Sequence, residues 1–192
     1  SLKNELSINH SEKLLIYVGS LGTWYLGREM MAQFANLFER KFLDRFLWIT
    51  RDSEERIMAL TSEFNLPKSS VIVRSASRDE VPVYLSIADL GIFYIRSTFS
   101  KSASSPTKLG EMLLCGLPVI TNTGVGDLNT FFSDNDVGHI HEIDREKTMF
   151  VDDETIRTLM SKSKEEIRKV GLKNLSLSIA TERYLEIYNT LK

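Results

Sequence analysis

Residues 104–120 read Ser104-Ser105-Pro106-Thr107-Lys108-Leu109-Gly110-Glu111-Met112-Leu113-Leu114-Cys115-Gly116-Leu117-Pro118-Val119-Ile120, and this stretch decides the fold. Ser105 is placed to accept a bond from a first-turn amide. Pro106 fits the first helical position because it has no N–H to leave unpaired. Gly116 stands where such a helix ends, and Pro118-Val119-Ile120 opens an apolar run suited to a buried strand. Lys108 falls in the first turn, where a cation opposes the helix dipole. That placement makes sense when an anion docks there, because free amides and positive charge then converge on it. Glu111 lies one turn further along the same face, by i, i+3 spacing, where a carboxylate accepts bonds from sugar hydroxyls. A phosphate beside a polyol describes a nucleotide.

Outward from this stretch, strand-like and helix-like periods alternate. Strands are expected at 13–18, 45–50, 70–74, 89–94, 117–121 and 139–143. Between them, helices are expected at 27–42, 53–64 (capped by Ser53), 81–88, 106–115 and 126–132, with the 27–42 segment spacing Met30, Phe34, Leu37, Phe38 and Phe42 on one face. Two helices, 152–170 and 177–191, close the chain. This rhythm predicts an α/β fold: a doubly wound parallel sheet of about six strands, Rossmann-like, with right-handed crossovers. Such sheets bind ligands beyond the carboxyl ends of their strands. The loops at 19–22, 75–78, 96–105 and 122–127 all fall on that edge.

The bulk properties narrow the function. With 192 residues, 42% of them apolar, the chain can bury a real core, expected as one domain over 1–192. A net charge of −2 gives no global field favouring nucleic acid or anionic membranes. No segment approaches the roughly 18 apolar residues of a membrane span. The single Cys115 forms no internal disulfide and fits a reducing, cytoplasmic setting. The sequence opens Ser1-Leu2 rather than with Met, so a piece of a longer protein is expected.

Residues 96–108 hold three cations, many hydroxyls and no acid, which reads as a diphosphate cradle and equally as a solvated loop before a capped helix. Gly19-Ser20-Leu21-Gly22 is a turn after the first strand, but it lacks the third glycine of a dinucleotide fingerprint. No acid clearly closes the second strand, which runs on as Thr50-Arg51-Asp52, and no P-loop motif is present. The amide-rich turn 122–127 reads as structural or ligand-binding alike. His139 and His141 share a strand face, yet no third ligand has convincing spacing, so no metal is expected. The acidic groups at 134–136 and 152–154 read as a turn and a helix start. Cys115 reads as a buried small residue, and Trp24, Tyr25 and Trp48 read as packing residues, the first two at the ligand edge.

Taken together, these segments resemble the C-terminal, nucleotide-sugar-binding half of GT-B glycosyltransferases, most of all family 4. The likeness covers nearly the whole chain. Residues 105–111 and 115–120 match that family's "SPTK..E..A.G.PVI" block, which is the specific part. Residues 81–92 resemble its helix-then-strand segment, 124–127 its following turn, and 182–191 its terminal helix. The resemblance implies that Glu111 holds the ribose hydroxyls and that Ser105, Pro106, Thr107 and Lys108 hold the diphosphate. It also implies a nucleobase near Ser75, in the 75–78 loop, and a loop Gly19, Ser20, Leu21, Gly22 facing the phosphate and a partner domain.

Two positions depart from the family. Ala103 stands where the first glutamate of E-x7-E usually contacts the donor sugar. The first loop lacks the usual Arg and Lys pair that neutralises the leaving diphosphate, and Lys101 and Lys108 are the candidates to compensate for the missing charge. The resemblance thus implies the donor-binding domain of a retaining glycosyltransferase. The donor would be a UDP- or GDP-linked hexose, a substrate rather than a cofactor, with no metal and no catalytic residue assigned to this half. The acceptor, a glycan or lipid-linked molecule, would sit on an absent N-terminal domain. The parent is expected in the cytoplasm, with any contact to the inner membrane made through that domain. The alternatives are a GT-B-like nucleotide-sugar epimerase and a non-catalytic nucleotide-binding scaffold.

Overall fold

The computed structural model describes residues 1–143 and 150–191. Among these residues six strands form one sheet: β1 (Leu14–Val18), β2 (Arg45–Ile49), β3 (Val71–Arg74), β4 (Leu90–Ile92), β5 (Val119–Asn122) and β6 (Gly138–His141). Every pairing is parallel, and the spatial order is β3-β2-β1-β4-β5-β6. This is the doubly wound order whose direction reverses between β1 and β4. The expected α/β fold is therefore present, with every strand pointing its carboxyl end at the same edge.

The helices are α1 (Leu2–Glu5), α2 (Gly27–Glu39), α3 (Glu54–Glu63), α4 (Val81–Ser86), α5 (Thr107–Leu114), α6 (Leu128–Asp134), α7 (Asp153–Ser161), α8 (Lys164–Leu175) and α9 (Leu177–Thr190). Leu14, Leu15, Ile16 and Tyr17 of β1 are fully buried, as are Phe46, Leu47 and Trp48 of β2, because helices cover both faces of these central strands. Met30, Met31, Phe34 and Leu37 of α2 pack on that core, which is why the helical spacing read from the sequence was so regular.

Several boundaries differ from expectation. The α5 helix begins at Thr107, with Pro106 rather than Ser105 at the capping position. Ser105 makes no capping bond; instead the Pro106 carbonyl accepts the Leu109 amide at 3.1 Å. The closing helix expected over 152–170 is divided: Lys162 is extended (ψ 141°) and pairs with Asp136, Ser163 is extended too, and α8 begins at Lys164. The short α1 has no counterpart in the sequence reading.

Gly116 ends α5 as expected, at φ +72°. A Cβ there would also meet the Lys164 carbonyl oxygen at 2.5 Å, so this stop sets the contact with α8 as well as the turn. Lys164 in turn donates to the Ser86 and Ala88 carbonyls after α4, at 3.0 and 2.9 Å. These contacts fix α5 against the sheet and aim its N-terminus at the switch point. Among the described residues, no helix is long and apolar enough to cross a membrane.

Candidate functional site

Lys108 projects from the first turn of α5 across the switch point to the end of β1. Its ammonium donates to the Tyr25 hydroxyl at 3.0 Å and sits 4.2 Å from the Tyr25 ring centroid. It also lies over Gly19, where a Cβ would come within 2.9 Å of Nζ and 2.8 Å of Cε. Among the described residues Lys108 has no carboxylate partner, so its charge is uncompensated at a helix start where the Leu109 amide is bonded to Pro106 and the Thr107 and Lys108 amides are not paired within the helix.

A cavity of about 220 Å³ opens beside it, lined in part by Trp24, Tyr25, Lys101, Ser105, Thr107 and Lys108. Two ammonium groups and several hydroxyls face it, and no carboxylate does. Glu111 stands exposed one turn along α5, on the Lys108 face, without an ion-pair partner among the described residues. The structure thus brings Ser105, Pro106, Thr107 and Lys108 together around one space, with Gly19 against the lysine.

The glycine loop is held from two sides. The Tyr17 hydroxyl donates to the Ser20 carbonyl at 2.8 Å, and the Leu21 amide donates to the Asp52 carboxylate. Asp52 also accepts from the Thr50 hydroxyl at 2.9 Å and from Arg56 at 3.2 Å. Burial against this crowded end pushes the Tyr17 phenol far above its ordinary value, so it remains a donor. The acid that would read a dinucleotide ribose after β2 is here engaged in bracing the loop. The Leu21 amide is thus taken, and its side chain packs over Gly27 at the start of α2.

Two further cavities flank the loop. One of about 230 Å³ lies between Gly19, Ser20, Ile49, Thr50, Ala76 and Val81, at the ends of β1, β2 and β3. It has the size and apolar walls suited to a nucleobase, and Ala76 rather than the exposed Ser75 lines it. The other, about 830 Å³, includes Leu21, Gly22, Tyr25, Arg28, Arg56 and Arg96 in its walls, so Tyr25 divides it from the lysine cavity.

The loop after β4 is anchored by the first residue of the 122–127 turn, through its side chain. Asn122, 2% exposed at the end of β5, accepts from the Ile95 amide at 2.7 Å and donates to the Ile95 carbonyl at 2.8 Å. Residues 22–26 in turn run against this segment, with the Tyr25–Ile95 bridge and the Arg96 amide on the Trp24 carbonyl at 2.8 Å. The Asn122 end of the turn 122–127 is thereby tied to the loop after β4, while Asn122 and Thr123 also line a cavity of about 430 Å³ with Arg96, Ser97 and Glu142.

Other expectations fall out differently. Trp48 is buried as a packing residue, but Trp24 is 42% exposed and carries the Lys101 ammonium 4.7 Å from its ring centroid. Cys115 is only half-buried, and burial raises its thiol above the usual value, away from nucleophilic chemistry. His139 and His141 stack with centroids 5.4 Å apart, and burial lowers His141 to about 4. Among the described residues no set of three metal-ligating side chains is assembled.

No protein-family model matches the chain, and no curated protein matches it either. Solved structures do. Sucrose-phosphate synthase from Thermosynechococcus elongatus superposes with a TM-score of 0.70 at 17% identity, over 98% of this chain and 48% of that one. WaaG, a glycosyltransferase involved in lipopolysaccharide biosynthesis, gives 0.68 at 20% identity over 96% and 49%. A glycosyltransferase from Rickettsia africae ESF-5 gives 0.70 at 16% identity over 98% and 50%. The chain has the fold of one half of a GT-B glycosyltransferase. It spans about half the length of each of these structures.

Proposed function

We propose that the chain is the donor-binding half of a retaining glycosyltransferase of the family 4 type. The parent transfers a hexosyl unit from a UDP- or GDP-linked donor to a glycan or lipid-linked acceptor. The observation carrying this reading is Lys108: an uncompensated ammonium at the start of α5, laid over Gly19 at the switch point, beside a hydroxyl-rich cavity free of carboxylates. Half-length coverage of glycosyltransferases supports it.

In this reading the base rests between Gly19 and Ala76, and the ribose hydroxyls donate to Glu111. The α5 amides, the Ser105 and Thr107 hydroxyls and Lys108 hold the diphosphate. When the bond from the anomeric carbon to the phosphate oxygen breaks, negative charge grows on the leaving diphosphate. A fixed cation there stabilises that charge more than the ground state. The acceptor is held by the other half of the parent, which works in the cytoplasm, touching the inner membrane at most through that half.

Calorimetric titration of the folded chain with UDP, GDP and their sugars tests this. Heat with one base series is expected; no heat with any would sink the reading. Ala103 and the uncharged 19–22 loop favour one rival, a non-catalytic nucleotide-binding module. Full-length protein that binds nucleotide but never consumes a donor sugar would support that rival, and interconversion of donor epimers would point to an epimerase instead.

A further inference from the structure

Lys101 belongs to the cation-bearing 96–108 segment but stands outside the 105–111 block, and its setting is specific. It sits in the short 3-10 turn Phe99–Lys101, in the loop after β4. Its carbonyl accepts the Gly126 amide at 2.9 Å and the Ser104 amide at 3.1 Å, which ties that loop to the turn after β5. Its side chain is half-buried, with the ammonium 4.7 Å from the Trp24 ring centroid. Among the described residues no carboxylate pairs with it, and none lines the cavity it shares with Lys108.

The order of groups around α5 is informative. Glu111 comes first, Lys108 one turn toward the N-terminus, and Lys101 beyond the helix start, across the 220 Å³ cavity lining. A ribose at Glu111 therefore puts the nucleoside's first phosphate at Lys108 and leaves the next group for Lys101. The 19–22 loop carries no cation to compete for that position. Two ammonium groups in a small space free of counter-charge repel each other, and a dianionic ligand relieves the repulsion. An aromatic face holds an ammonium more weakly than a phosphate does, so Trp24 positions Lys101 without withholding it.

We propose that Lys101, seated on Trp24, is the second cation of the donor site and engages the distal, sugar-bearing phosphate. It replaces charge that the first loop does not supply. The inference rests on the nucleotide-binding reading above, and it predicts discrimination between nucleoside diphosphate and monophosphate.

The test is calorimetric titration of the chain and of Lys101→Gln and Lys101→Arg with UDP, UMP, GDP and GMP. Lys101→Gln is expected to lose about tenfold in affinity for the diphosphate of the preferred base and to bind its monophosphate as before. Lys101→Arg should recover most of that loss. Equal weakening toward both nucleotides, or none toward either, overturns the assignment while leaving nucleotide binding intact. Failure of the unsubstituted chain to bind any of the four overturns the nucleotide reading and this inference with it.

Discussion

The Lys108 ammonium lies 3.0 Å from the Tyr25 hydroxyl and 4.2 Å from the centre of the Tyr25 ring, so one aromatic side chain both bonds and seats the cation of the site. Tyr25 itself is fixed by the bridge to Ile95, and the Tyr17 ring stands 6.0 Å away, edge-on. The lysine is thus held in place by the protein alone, which under the proposed function is the condition for electrostatic stabilisation without reorganisation.

Removing that charge should be felt in binding and hardly at all in folding. Lys108→Met is expected to reduce affinity for nucleoside diphosphates by about tenfold or more, since a charged hydrogen bond is lost. Lys108 has no ion-pair partner among the described residues, so its melting temperature should stay close to that of the unsubstituted protein. Calorimetric titration and a thermal melt on the same preparation check both halves.

Glu111→Gln should weaken nucleotide binding by about tenfold with little effect on melting, because an exposed carboxylate rarely matters to stability. A titration series against deoxyribose and ribose nucleotides localises the effect: the variant should lose most of the preference for ribose. A collapse in melting temperature would instead make Glu111 a structural partner.

Gly19→Ala addresses the close approach beneath the lysine. The glycine has φ +143°, and a methyl group would lie 2.8 Å from both Lys108 Cε and the Tyr17 hydroxyl oxygen. The backbone strain alone is of order 1–3 kcal/mol. Displacement of Lys108 should add a binding defect. Urea denaturation and nucleotide titration are expected to show both losses together, unlike the Lys108 variant.

Asn122→Ala is the structural control. It leaves the buried Ile95 amide without its side-chain acceptor, at about 1–3 kcal/mol for such a group. Chemical denaturation should register that loss. Binding should fall only indirectly, through loosening of the loop that carries Lys101.

The pH dependence of stability is expected to follow His141. Burial, and then the neighbouring His139, lower it from 6.5 to about 4 in the folded protein. The folded state therefore binds this proton less readily than the unfolded chain. The contribution is complete above pH 6.5 and is lost as pH falls from there through about 4. Melting temperatures measured from pH 7.5 to 4.5 should decline across this window, and His141→Phe should flatten the decline.

Much of the fold was legible because its periods are clean. β1 and β2 are buried on both faces and so read as unbroken apolar runs, while α2 keeps one apolar face over thirteen residues. Gly116 and the run after it marked the end of α5 and the start of β5, since only a glycine takes that φ without strain. Local spacing is silent where neighbours in space decide. Ser105 had the chemistry of a cap, but Pro106 took the position. The 152–170 helix is interrupted where Lys162 reaches Asp136, a contact no helical period reveals.

By itself, the sequence determined the α/β class, the order of elements and the presence of a cation and a carboxylate on one helix face, because these depend on local spacing. Tertiary structure decided what those groups can do. It laid Lys108 across Gly19 onto Tyr25, engaged Asp52 in bracing the first loop, seated Lys101 on Trp24, and used Asn122 to hold the loop between them. Each of these joins residues from different strand ends. Parallel strands collect their carboxyl-end loops at one edge however far apart they lie in the chain, so the site's chemistry was fixed by folding rather than by any one segment.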